Sequence, residues 1–122
     1  MYNQATATYQ KTTQSTANPR ELEASLLLKA ARKLQAVKES WTEDNSGLNE
    51  ALDFNRRLWS ILATSATAPE SPLPREIKQN IGNLAVFIFR HTLSISRRSE
   101  PTRLNSLIQI NKVMAEGLRG TA

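Results

Sequence analysis

The stretch ALDFNRRLWSIL, residues 51–62, decides the fold. With Leu48 before it, Leu52, Asn55, Trp59 and Leu62 recur at steps of four, three, four and three, one face of an α-helix. A half-buried strand would alternate apolar and polar residues, and this stretch does not. It predicts a helix from about Leu48 to Ala63, with Ala51, Phe54, Leu58 and Ile61 widening its apolar side. Asn55 is the polar exception inside the stripe. A buried amide must find a partner, here near Asn80 or Asn83 on the next helix, and would fix the register of the pair. The alternative is that Asn55 lines a groove and reads a partner's backbone.

Outward from this helix, NPRELEASLLLKAARKLQAVKESW carries a second helical stripe: Leu22, Leu26, Ala30, Leu34, Val37 and Trp41. Asn18 is a capping residue type, Pro19 suits a first helical turn, and Glu21 and Glu23 complement the positive end of the helix dipole. Leu27, Leu28 and Ala31 add a second apolar side. TEDNSG then breaks the pattern.

Downstream, residues 64–74 read as a linker, because Pro69, Pro72 and Pro74 disfavour helix in the residues before them. Pro74 suits the first turn of a third helix, with Ile77, Ile81, Leu84, Ile88 and Ile95 as its main face. Ala85, Phe87 and Phe89 broaden that face. Gly82 inside it costs about 1 kcal/mol against alanine, which a close helix crossing would justify. SRRSEP ends this helix and Pro101 opens a last one, with Leu104, Leu107, Ile108, Val113, Met114 and Leu118, ended by Gly117 and Gly120. The expectation is an all-α bundle of four main helices over residues 18–120. Residues 1–17, rich in Thr, Gln and Ala, admit a short helix through Tyr2, Ala5 and Tyr9, or no regular structure.

Composition narrows the function. A chain of 122 residues reads as one domain, with 39% hydrophobic and 22% charged residues. It has no cysteine, so disulfides and thiolate sites are excluded, and its one histidine, His91, rules out a multi-histidine metal site. The start has no basic-then-apolar leader pattern, and the longest apolar run, LAVFIF, is far below the roughly 20 residues of a membrane span. A cytoplasmic location is expected. No paired acid–base set, Gly-rich phosphate loop or nucleophile elbow is present, so no catalytic or cofactor-binding residues are assigned and no enzyme is expected. His91, alone beside an apolar face, reads as structural.

The net charge of +5 belongs to the C-terminal part. Residues 1–74 hold 8 basic and 8 acidic residues, which cancel, and residues 75–122 hold 8 basic and 3 acidic. Arg90, Arg97, Arg98 and Arg103, with Lys112 and Arg119, are the candidates for contact with an acidic partner or RNA. No aromatic residues interleave them and no RNA-binding module appears. Wide apolar faces favour a protein partner: an amphipathic helix held between the second and third helices. Asn55, Leu58, Trp59, Leu84 and Phe87 are the candidate contacts there, with core packing as the competing role of each.

Four stretches occur together in order: PRELEA (19–24), ALDFNRRLW (51–59), LPREI (73–77) and IGNLAVFI (81–88). In that order and spacing they resemble the FlaF family, flagellar biosynthesis regulators of alphaproteobacteria. The resemblance covers roughly residues 1–95 and leaves the last helix unmatched. It implies a small helical protein that binds flagellin in the manner of a secretion chaperone and promotes its synthesis and export. It also implies action opposite FlbT, which represses translation of flagellin messenger RNA. The alternative within the family is regulation of that messenger RNA, directly or together with FlbT.

Overall fold

The structure is a computed structural model that describes residues 19–44 and 47–120. Four α-helices are present: α1 Pro19–Glu39, α2 Leu48–Thr67, α3 Arg75–Arg97 and α4 Asn105–Gly120, the last preceded by a 3-10 turn at Pro101–Leu104. Among the described residues there is no strand. The expected all-α bundle of four main helices is what forms. Asn18 and the 1–17 segment lie outside the described residues.

Helix α2 buries the stripe its spacing predicts, and the other helices do so in part. In α1 the buried residues are Ala24, Leu27, Ala30, Ala31 and Leu34, so the core face is turned away from Leu22, Leu26, Val37 and Trp41, which are only half-buried. In α3 Ile81, Ala85, Ile88 and Ile95 are buried, with Ile77 and Leu84 at the core's margin, and in α4 Leu107, Ile108, Ala115 and Leu118 are buried while Val113 is 56% exposed. The α2 stripe Leu48, Leu52, Asn55, Trp59 and Leu62 is buried throughout and continues to Ala66. Thr92 lies in the α3 stripe and satisfies its own hydroxyl, donating to the Ile88 carbonyl at 2.7 Å.

Helix α1 makes its most extensive contact with α4 and also packs on α2, and α2 packs on α3. The helices therefore neighbour one another in the order α4–α1–α2–α3. Glu21 at the start of α1 pairs with Arg119 near the end of α4 at 2.9 Å, so these two run antiparallel. The end of α3 is tied to the 3-10 turn ahead of α4 by polar contacts: His91 Nε2 hydrogen-bonds the Arg103 carbonyl at 2.8 Å, and the Arg103 guanidinium donates to Ser94.

Several local expectations are corrected. Helix α2 runs to Thr67, so the stretch outside helices is only 68–74. That stretch is fastened at three points. Leu73 is buried, Ser71 N–H donates to the Ala68 carbonyl at 3.0 Å, and Lys78 Nζ donates to the same carbonyl at 3.1 Å. Pro74 sits one residue ahead of α3 instead of in its first turn, and its carbonyl accepts the Lys78 N–H at 3.0 Å. Gly117 does not end α4, which continues through it to Gly120. Gly82 answers no close crossing: a Cβ there would meet Thr67 Cγ2 at 3.9 Å, an ordinary contact. Gly47 is the glycine with a backbone reason, because its φ of 89° starts α2 from the left-handed region.

Candidate partner-binding surfaces

Asn55 and Trp59 are 0% exposed, so on this fold they are interior residues that no docking partner touches. Their roles follow from hydrogen-bond chemistry. An indole N–H can only donate, and Trp59 donates it to Asn111 Oδ1 at 2.9 Å. That fixes which way the Asn111 amide points, so its NH2 donates onward to Asn55 Oδ1 at 2.6 Å. Asn55 is thereby oriented too, and its Nδ2 is buried without a hydrogen-bond partner. The interior reading of Asn55 is the one observed, but the helix it reaches is α4. Asn80 and Asn83 on α3 are exposed. The chain of three side chains ties α2 to α4 across the core.

Leu58 is half-buried and lies on a groove between α1 and α2. Leu26 from α1, with Phe54, Leu58 and Ile61 from α2, forms the apolar lining of this groove of about 440 Å³. Ile61 is 68% exposed, unusual for an isoleucine on a helix whose opposite face is core. The acids on the groove's rim are paired within the chain, and Lys29 lies 5.5 Å from the centre of the Phe54 ring. Arg56 donates to Asp53 at 2.7 Å and Arg57 reaches it at 2.9 Å. The Arg56 hydrogen bond, foremost, holds the Asp53 carboxyl below the usual carboxylate range. Glu50 meets Lys33 at 3.6 Å, and Lys33 also lies 5.1 Å from the centre of the Phe54 ring. Phe54 and Ile61 were legible as apolar positions beside the main stripe, which marks a second contact side of α2. Only the fold shows that the second side is open.

Leu84 is half-buried on α3, and Phe87 is 43% exposed with its ring stacked on His91 at 5.2 Å. Neither lines the α1–α2 groove. The five candidate contacts are thus not brought together: two are core, one is on the groove and two are on α3. The arginines also separate. Arg103 is held by Ser94, and Arg98 pairs with Glu100 at 3.4 Å. Arg90 and Arg97 are exposed and have no acidic partner among the described residues. Among the described residues no cluster of acids or histidine could hold a metal, and no helix is long and apolar enough to cross a membrane.

A family model described as "Flagellar protein FlaF" matches residues 5–118. The chain belongs to the FlaF family. The match runs through α4, which the quoted stretches had left outside the resemblance. The FlaF fold thus includes the helix that supplies Asn111 to the buried chain of side chains. No curated protein and no solved structure matches this chain.

Proposed function

We propose that this FlaF-family protein binds flagellin and promotes its synthesis and export by covering an amphipathic flagellin helix in the α1–α2 groove. A flagellar role comes with the family. The observation that carries the finer reading is the groove itself: Leu26, Phe54, Leu58 and Ile61 present apolar surface between two helices, and the two acids on its rim, Glu50 and Asp53, are paired with basic side chains of the same chain. Such a surface suits an amphipathic helix anchored at positions three and four residues apart. Flagellin's terminal segments are helical when assembled, and covering their apolar stripe would prevent early polymerisation. A partner that orders as it binds loses part of the contact energy to that ordering. Regulation of flagellin messenger RNA is less well supported, since Arg98, Arg103 and Arg119 are engaged within the chain, which leaves Arg90, Arg97 and Lys112 of the named candidates for phosphates.

The test is titration of purified flagellin followed by calorimetry. Binding at or below tens of micromolar is expected, with Leu58→Asp together with Ile61→Asp weakening it by about tenfold or more while helix content is kept. Absence of binding by the unaltered protein at that concentration overturns the proposal.

A further inference from the structure

Helix α3 has an outer face that neither the core nor the α1–α2 groove uses. Val86, Arg90, Leu93 and Arg97 recur along it at steps of four, three and four. Val86 is 50% exposed and Leu93 64%, and Phe89 is half-buried at the edge of the core. Between Ile77 and Arg97 the helix has no acidic residue, and Arg90 and Arg97 are without an ion-pair partner among the described residues. Apolar side chains flanked by unneutralised cations make a surface with a definite complement. We propose that this face of α3 docks an amphipathic helix of a protein partner whose apolar stripe is flanked by Asp or Glu.

Electrostatics selects the partner and hydrophobic contact supplies the area. Two arginines aligned one helical repeat apart match acidic residues at the same spacing, and charge complementarity of this kind raises association rate and excludes basic partners. The strip is too narrow for a lipid surface, which takes up a broad apolar face bearing deeply inserted aromatics. Single-stranded RNA is gripped by successive open rings, and α3 exposes one, Phe87, with one face covered by His91. The inference does not rest on flagellin binding, because the α1–α2 groove and this strip share no residue.

The test uses the full chain and labelled helical peptides of about five turns, read by fluorescence anisotropy. One peptide has a leucine stripe flanked by Glu and the other the same stripe flanked by Lys. Vesicles of anionic phospholipid and a single-stranded RNA complete the set. The Glu peptide is expected to bind, more weakly as salt rises, and the Lys peptide to bind at least about tenfold more weakly. Arg90→Glu with Arg97→Glu should invert that preference. Both residues are exposed, so an unchanged circular dichroism spectrum and melting point verify the fold. Equal binding of the two peptides, no binding of either, or binding of only vesicles or RNA overturns the proposal. Flagellin affinity should survive the arginine reversal. If it falls together with Glu-peptide affinity, flagellin itself occupies α3 and the assignment of this face to a second partner is overturned.

Discussion

Trp59 donates its indole N–H to Asn111 at 2.9 Å, joining residues 52 positions apart in a site that water does not reach. Asn111 is the centre of the arrangement and Asn55 its end. Replacing Asn111 by Leu leaves the Trp59 N–H and the Asn55 carbonyl without partners, beside an Asn55 NH2 that already has none. Replacing Asn55 by Leu strands only the Asn111 NH2 and removes the unpartnered group. At about 1–3 kcal/mol for each newly orphaned buried group, Asn111→Leu should cost about 3 kcal/mol and Asn55→Leu no more than about half of that. Urea unfolding of the two variants measures both. Equal costs would show that the bonds do not have this order of importance.

Glycine positions should respond with opposite signs. Gly82→Ala places a Cβ 3.9 Å from Thr67 Cγ2 inside a regular helix, so α3 should gain about 0.5–1 kcal/mol. Gly47→Ala forces a side chain into φ 89° and should lose about 1–2 kcal/mol. Thermal melts of the pair decide it. A destabilised Gly82→Ala variant would mean that the α2–α3 contact is tighter than the distance indicates.

Glu23 gives a pH dependence. Burial raises its carboxyl above the ordinary value of 4.5, and Arg20 at 3.5 Å pulls the other way without prevailing. At that distance the contact is an ion pair rather than a hydrogen bond, and Glu23 Oε1 is buried without one. The folded chain therefore holds this proton more tightly than the unfolded chain. The contribution is complete below 4.5 and is lost as pH rises through the raised value. Glu23→Gln should gain stability relative to the parent as pH climbs from acid to neutral. A difference in unfolding midpoint that stays constant with pH would refute the shift.

The helices were legible because each stripe keeps its period: the steps through Leu48, Leu52, Asn55, Trp59 and Leu62 needed no tertiary information. The presence of Asn55 in that stripe pointed to a buried partner or to a groove, and the structure shows the first. Its identity was not legible, because the core brings α2 and α4 together across 56 positions, and local spacing carries no record of that. The open side of α2 was half legible. Phe54 and Ile61 stand off the main stripe, but whether a second apolar side is covered depends on how far a neighbouring helix extends over it. Val86 and Leu93 illustrate the same limit. Both are apolar positions on a core helix, and only the packing shows them turned outward.

The segment between α2 and α3 separates a hinge from a strut. Its three prolines read as a linker, and a linker that acted as a hinge would let the helical hairpins on either side of it part. In the structure Leu73 is 8% exposed and the Ala68 carbonyl accepts from both Ser71 and Lys78. A joint of that kind resists opening, because parting the hairpins would first pull Leu73 out of the core. Leu73→Ala should therefore cost about 2 kcal/mol, at the low end for a leucine truncation because the site lies at the core's margin. It should also speed amide exchange at the start of α3 relative to the middle of α1, since the lost anchor frees that end first. Unfolding midpoints and native-state hydrogen exchange measure the two effects. A cost near zero with unchanged exchange would restore the hinge, and binding by separation of the hairpins would then become the mechanism to test.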